Sequence, residues 1–73
     1  MIRLTRSEPS RNMHRFYALQ LAPTLFGEWA LVAEWGRIGS SGKVMHAVFE
    51  TEELAQHALD KRLRSKTKRG YRA

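Results

Sequence analysis

Residues 29–49 read WALVAEWGRIGSSGKVMHAVF, and their pattern is that of a β-hairpin. Residues 29–35 are rich in aromatic and aliphatic side chains, which favours a strand whose alternate residues face opposite sides. Three glycines and two serines between Gly36 and Lys43 predict a loop. Residues 44–49 then return as a second strand, so the two strands are expected to pair in antiparallel fashion.

The residues before this hairpin predict two further strands. Ile2 and Leu4 alternate with polar neighbours in a short strand that ends near Thr5, and residues 6–12 have the composition of a loop. Residues 14–21 predict the next strand, and a turn begins at residues 22–24. Alternation along residues 14–21 gives that strand two faces, one with Tyr17, Leu19 and Leu21 and the other with Phe16, Ala18 and Gln20.

The residues after the hairpin predict a helix. Thr51 is a suitable N-cap, and Glu52 and Glu53 suit the positive end of the helix dipole. One apolar stripe at helical spacing consists of Leu54, Ala55, Ala58, Leu59 and Leu63. The helix is expected to end at about Lys66, before Gly70.

Together these elements predict an α+β fold: a small antiparallel sheet of about four strands in a meander, with one C-terminal α-helix packed on one face. A chain of 73 residues is expected to form a single domain over residues 1–73. Its core is expected at about residues 12–71, and residues 61–73 form a basic C-terminal tail.

The composition also argues against several classes of protein. Cysteine is absent, so disulfides and thiolate metal sites are not expected, and a cytoplasmic location, with nucleoid association as an option, fits this usage. The three histidines lack the spacing of metal ligands, so neither a metal nor a cofactor is expected. No apolar run reaches the ~18 residues of a membrane span, and the N-terminus lacks a secretory signal, so no membrane partner is expected. The acidic residues show no pairing suited to acid–base catalysis, so we expect a protein that is not an enzyme.

Positive charge is concentrated at the two ends of the chain. The net charge is +6 overall, with +3 in residues 1–15, −4 in residues 16–60 and +7 in residues 61–73. A polyanion is therefore expected to contact the two ends and the loop that carries Arg37 and Lys43.

Trp35, Gly36 and Arg37 combine three chemical features at the predicted end of a strand. The indole offers a flat face to a sugar or base, and a glycine allows another backbone or a phosphate to approach closely. The guanidinium provides a fork of donors that suits phosphate oxygens. From spacing alone, core packing is the commoner role for a strand tryptophan, and it applies equally to Trp29.

The loop that follows contains Gly39 and Lys43 but does not match a nucleotide-binding phosphate loop. Five residues rather than four separate Gly36 from the Gly-Lys pair, and Val44 stands where that motif has Ser or Thr. The loop also leads into a strand rather than a helix. Its backbone N–H groups and neighbouring cations can hold a single phosphate, whereas the alternative is a flexible hairpin loop.

The basic tail carries seven cations and no acid. The negative end of a helix dipole accounts for one or two of them, and contact with a phosphate backbone accounts for the rest better. A helix lying on a membrane surface is the rival interpretation, but the apolar stripe is short and is needed to cover the sheet. The tail residues assigned to phosphate contact are Lys61, Arg64, Lys66, Lys68 and Arg69.

The chain resembles the WGR domain family, named for the tripeptide at residues 35–37. Residues 12–21 resemble the family's aromatic-rich strand ending in Leu-Gln-Leu, and Phe49, the helix, a Lys and Gly70-Tyr71 follow in family order. The resemblance is to the WGR domain of poly(ADP-ribose) polymerases and to small free-standing bacterial proteins of the family. It implies DNA binding, with Trp35 stacking on the sugar or base at a strand end beside Arg37, and Trp29 stays a core candidate. These 73 residues contain no catalytic domain, so the resemblance does not imply ADP-ribosylation for them.

The combined interpretation is a module that binds DNA without sequence readout and prefers ends, nicks or gaps. Its expected contacts are Trp35, Gly36, Arg37, Gly39 and Lys43 together with the tail residues named above. RNA binding through the same groups stays open, because nothing in the sequence distinguishes the 2′-hydroxyl. The alternative is a protein–protein interaction module in which the exposed tripeptide surface and Phe16 dock a DNA-repair-type partner.

Overall fold

A computed structural model describes all 73 residues. Its elements in chain order are β1 (Ile2–Glu8), a 3₁₀ turn (Pro9–Arg11), β2 (Met13–Pro23), β3 (Trp29–Arg37), β4 (Lys43–Phe49) and α1 (Glu52–Lys68). The four strands form one sheet in the order β1-β2-β3-β4, and each strand is antiparallel to its neighbour. The predicted α+β meander with a C-terminal helix is confirmed.

β1 is longer than its sequence indicates. Residues 6–8, predicted as loop, continue the strand because each pairs with a residue of β2, the last pair being Glu8 with Met13. Pairing with a neighbouring strand outweighs a local composition that favours loops. The connection to β2 is accordingly short, and Asn12 takes a left-handed conformation there, with φ of 50°.

β3 continues through the tripeptide, so the prediction that the loop begins at Gly36 is wrong. Gly36 pairs with Phe16, and Arg37 pairs with Arg15, because β2 extends far enough to offer both partners. The hairpin loop is limited to residues 38–42, and Lys43 is the first residue of β4.

The helix begins where its N-cap predicts. The Thr51 hydroxyl oxygen accepts a hydrogen bond from the Leu54 backbone N–H at 3.2 Å. The helix ends at Lys68, two residues later than expected, and Gly70 follows in a left-handed conformation with φ of 96°. No helix in the protein has both the length and the apolar character that crossing a membrane requires.

The core lies between α1 and one face of the sheet. Its buried residues are Leu4, Tyr17, Leu19, Leu31, Ala33, Leu59 and Tyr71. The prediction that Leu54 belongs to the buried apolar stripe of α1 is wrong, because this residue is 53% exposed. Ala55 and Leu59 form the centre of the buried face, and Leu54 points about 140° away from Leu59 around the helix.

The two tryptophans differ in their relation to the core. Trp35 packs against the core cluster, whereas Trp29 is half-buried at the end of the sheet, between its pairing partners Pro23 and Phe49. Trp29, a core candidate from the sequence, therefore lies outside the core cluster. Trp35 reaches the core because its ring stacks on the buried Tyr17, with centroids 5.8 Å apart.

Phe16 lies on the sheet face opposite the helix and is nevertheless buried, with 6% exposure. The Arg3 guanidinium lies 5.3 Å from its ring centroid, and the backbone of Gly42 approaches its other side. Phe16 is thus unavailable as the docking residue that the protein-interaction alternative used.

Candidate functional site

A cleft of about 480 Å³ opens at the hairpin-loop end of the sheet. It contains four of the predicted contact residues, Trp35, Gly36, Arg37 and Lys43. The full lining is Arg15, Trp35, Gly36, Arg37, Gly42, Lys43 and Tyr71. We call this hollow the cationic cleft.

Strand register brings three exposed cations to the cationic cleft. Arg15 lies opposite Arg37 on β2 and β3, and Lys43 lies opposite Trp35 on β4 and β3. Like charges placed directly opposite each other on adjacent strands are destabilising. Both ion pairs of the protein are made by Glu8, with Arg6 at 2.8 Å and Arg11 at 3.6 Å. The three cations of the cleft are therefore left without a carboxylate.

Arg37 has weak tethers at the base of the cleft. Its Nη1 donates to the Asn12 carbonyl oxygen and its Nη2 donates to Asn12 Oδ1, both at the long distance of 3.4 Å. These contacts leave most of the guanidinium donors free for an external acceptor.

Trp35 serves both the core and the cleft. Its ring stacks on Tyr17 with centroids 5.8 Å apart and an interplanar angle of 19°. The indole is half-buried, so the part that does not face Tyr17 and the core contributes to the cleft wall. The core role favoured by spacing and the site role implied by the family resemblance are therefore compatible for this residue.

Tyr17 connects the cleft to the basic helix. Its hydroxyl oxygen accepts a hydrogen bond from Arg62 Nη1 at 2.9 Å. Its ring is also in edge contact with Tyr71 at 6.1 Å. The Trp35 ring is thereby held at one end of an aromatic cluster whose other members contact α1 and the C-terminal segment.

Of the tail residues assigned to phosphate contact, Lys66 comes closest to this aromatic cluster. Its Nζ lies 4.6 Å from the Tyr17 ring centroid and 5.9 Å from that of Tyr71. Partial burial lowers the pKa of Lys66 below its ordinary value, and the charges of Arg69 and Arg62 lower this pKa further. The negative charge of a phosphate beside this ammonium group would raise this pKa again.

The close packing of the loop requires a glycine at position 36. A Cβ on Gly36 would lie 2.7 Å from the Cα of Gly42, so the loop packs directly on this position. Gly42 has a φ of 69°, and a Cβ there would lie 2.6 Å from the Trp35 carbonyl oxygen. The sequence predicts that either another backbone or a phosphate approaches Gly36 closely. In the structure the backbone of Gly42 does so.

The other predicted contacts lie outside the cationic cleft. Gly39 is exposed at the loop tip, in a turn closed by hydrogen bonds from Ser40 to the Arg37 carbonyl oxygen. Lys61 lines a separate hollow between α1 and β4 that also contains Phe49. Arg64, Lys68 and Arg69 are exposed on or just after α1 and do not line the cleft. That Lys61, Arg64, Lys68 and Arg69 contact phosphates stays a prediction.

Three cleft residues were not predicted from sequence: Arg15, Gly42 and Tyr71. Arg15 and Tyr71 lie far from the tripeptide in sequence, and their approach depends on the β2–β3 register and on the path of the chain after α1. The last segment is fixed by two backbone hydrogen bonds between Thr5 and Arg72, at 2.7 and 2.8 Å, which place Tyr71 over the sheet. The signal that could have identified Arg15 is the antiparallel register, which aligns it with Arg37.

No group of three His, Cys, Asp or Glu side chains is positioned to hold a metal ion. His14 shares a hydrogen bond of 2.9 Å with the Ser7 hydroxyl, and His46 and His57 are exposed.

Comparison with known proteins identifies the same family as the tripeptide at residues 35–37. The family model described as the WGR domain matches residues 1–73. An uncharacterized protein of Sinorhizobium fredii, y4dW, is 49% identical over 67 residues, which are 92% of this chain and 33% of that protein. The chain thus spans about a third of the length of this curated relative. No solved structure matches the chain.

Proposed function

Because the chain belongs to the WGR domain family, which is known for nucleic-acid binding, we propose that it binds DNA without base-sequence readout and prefers ends, nicks or gaps. In this proposal the cationic cleft receives the strand terminus, and the protein acts in the cytoplasm as a binding module rather than as an enzyme.

The arrangement of Arg15, Arg37 and Lys43 is the observation that carries the proposal. Three exposed cations share one small cleft, two of them face each other across adjacent strands, and none is paired with a carboxylate. A bound phosphate would lower their mutual repulsion and accept charge-assisted hydrogen bonds from the two guanidinium groups.

In this proposal, stacking on Trp35 accounts for the preference for DNA ends, nicks or gaps. Its stacking on Tyr17 holds the indole in place, so little conformational entropy is lost when a sugar or base packs on its exposed part. Stacking of a base on an aromatic ring contributes about 1–3 kcal/mol. Intact duplex keeps its internal bases stacked on each other, whereas an end or a nick exposes a terminal base and sugar.

The cations of α1 would hold the flanking duplex. Lys66 borders the aromatic cluster of the cleft, and Lys68 and Arg69 continue the positive surface at the C-terminal end of the helix. Contacts of this kind go to the phosphate backbone, carry no sequence information and weaken steeply with salt.

Fluorescence anisotropy with four oligonucleotides of equal length tests the proposal. The set is a closed DNA dumbbell, the same dumbbell with one nick, a single DNA strand and a single RNA strand, each measured at two salt concentrations. We expect the nicked dumbbell to bind tightest and the preference over the closed form to persist at the higher salt. Equal binding to all four, lost at the higher salt, would leave only a nonspecific polycation and would contradict the proposal.

A further inference from the structure

The turn between β2 and β3 holds two large apolar side chains in solvent. Leu25 is 98% exposed and Phe26 is 87% exposed. We call this pair the apolar tip. The turn is ordered by Thr24, whose hydroxyl oxygen accepts hydrogen bonds from the backbone N–H groups of Phe26 and Glu28, both at 3.2 Å. A backbone hydrogen bond of 2.9 Å from Thr24 to the Glu28 carbonyl oxygen closes it.

Neither the sheet nor the helix covers this pair, and burying both side chains against a partner would remove a large apolar area from water. A rigid turn presents such side chains at low entropic cost on binding. Exposed apolar side chains on a rigid turn are typical of an interaction surface, and these two side chains contribute nothing to the core of this protein.

The surroundings of the apolar tip are acidic. Trp29 pairs with Phe49, so Glu28 and Glu50, which adjoin these two residues, lie at the same end of the sheet as the tip. Glu52 and Glu53 follow in the first turn of α1. Acidic neighbours disfavour contact with nucleic acid or with an anionic lipid surface. A surface that complements the apolar tip and its acidic neighbours is an apolar hollow bordered by cations.

The cationic cleft at the other end of the same protein has that chemistry. Its walls include the rings of Trp35 and Tyr71, and its rim carries Arg15, Arg37 and Lys43. An aromatic side chain such as Phe26 would pack against the exposed part of the Trp35 ring, while Glu28 would meet the arginines.

The tip and the cleft of one chain cannot meet. They lie at opposite ends of β3, whose nine residues span roughly 27 Å at ~3.3 Å per residue, in a protein 45 Å long. We therefore propose that the apolar tip of one copy docks in the cationic cleft of a second copy.

This contact is head-to-tail, so each copy keeps one free tip and one free cleft, and short chains of copies form as concentration rises. Two side chains bury far less than the ~1,200 Å² of a standard stable interface, so the association is weak and reversible. DNA competes for the same cleft under the proposed function. The association itself needs no DNA, so its failure and the failure of DNA binding are separate results.

Sedimentation equilibrium without DNA, over a wide range of protein concentration at low salt, tests the contact. We expect the mean mass of the wild type to rise with concentration, and added salt to reverse the rise. The double variant Leu25→Ser/Phe26→Ser should stay monomeric, with association weakened by about tenfold or more. Val48→Ser is the matched control, because it removes an apolar side chain that is 54% exposed on β4 but belongs neither to the apolar tip nor to the lining of the cationic cleft, and it should associate like the wild type.

Complementation distinguishes this contact from any symmetric dimer. Arg37→Glu alters the cleft and retains the tip, whereas Leu25→Ser/Phe26→Ser retains the cleft. Each variant alone should be monomeric, and an equal mixture should form one-to-one dimers and nothing larger. All substituted residues are exposed, and circular dichroism verifies that each variant is folded. A wild type that stays monomeric throughout, a tip variant that still associates, or a mixture that does not dimerise would each overturn the proposal.

Discussion

Arg15 and Arg37 lie directly opposite each other on neighbouring strands, and neither has a carboxylate partner. Such a pair lowers the stability of a protein in the absence of an anion. Under the proposed function the same pair would become favourable, because a phosphate between the two guanidinium groups would offset their repulsion. An arrangement that is unfavourable for the isolated fold and favourable for a ligand is typical of a binding site.

The first prediction concerns the individual cations. Arg15→Ala should weaken DNA binding and reduce the slope of log affinity against log salt by about 0.9, the contribution of one phosphate contact on duplex DNA. Arg11→Ala is the comparison, because Arg11 is paired with Glu8 at 3.6 Å, does not line the cleft and should change the slope less. Anisotropy titrations over a series of salt concentrations measure both slopes. Equal losses in the two variants would mean that the cleft has no special role among the basic residues.

The second prediction concerns the link between the cleft and α1. Tyr17→Phe removes the hydrogen bond that Arg62 donates and should lower the free energy of unfolding by about 1 kcal/mol. Tyr71→Phe should lower it by less than about 0.5 kcal/mol, because the Tyr71 hydroxyl makes no hydrogen bond within the protein. Urea unfolding measures both values. Equal effects would show that the Arg62 bond contributes nothing to stability.

The third prediction concerns Gly36. Gly36→Ala places a Cβ against the Gly42 backbone and should lower the free energy of unfolding by about 1–3 kcal/mol, as overpacking in a close contact does. It should also shift the loop at residues 38–42 and thereby weaken DNA binding. Urea unfolding and anisotropy measure the two effects. Unchanged stability would mean that the loop does not lie against Gly36 in solution.

The fourth prediction concerns the contribution of Glu8 to stability at low pH. The hydrogen bonds from Arg6 hold the pKa of Glu8 below its ordinary value, although desolvation opposes this, and the charges of Arg6 and Arg11 lower the pKa further. In the folded state Glu8 thus binds fewer protons than in the unfolded state, so its contribution to stability is present above its ordinary pKa and is lost as pH falls through the lowered value.

Urea unfolding of the wild type and Glu8→Gln between neutral pH and about pH 3 measures this contribution. The stability difference between the two proteins should shrink as the pH falls. A constant difference would show that the ion pairs of Glu8 have no pH-dependent effect.

The elements of this fold could be predicted from the sequence because each has a local signal. Thr51 marks the start of the helix, glycine and serine mark the hairpin loop, and alternation marks the strands. The extents of the strands could not be predicted, because residues 6–8 and 36–37 are strand only through pairing with β2.

The site could be predicted in part for the same reason. Trp35, Gly36, Arg37 and Lys43 are near one another in sequence, and the structure brings them together in one cleft. Arg15 and Tyr71 reach the cleft through the sheet register and the bridge between Thr5 and Arg72, which no local pattern encodes. Exposure likewise depends on tertiary packing, which is why Phe16 is buried and Leu54 is not.

The preference for a nicked over a closed dumbbell, measured in Trp35→Leu and Trp29→Leu, tests the central claim most directly. Leucine keeps an apolar side chain against Tyr17 but removes the flat ring, and Trp29 lies at the other end of the same strand. We predict that Trp35→Leu lowers the ratio of the two affinities by about fivefold or more, the equivalent of ~1 kcal/mol of lost stacking. Trp29→Leu should leave the ratio unchanged. A ratio retained in Trp35→Leu, with both variants folded, would contradict recognition of DNA discontinuities by this tryptophan.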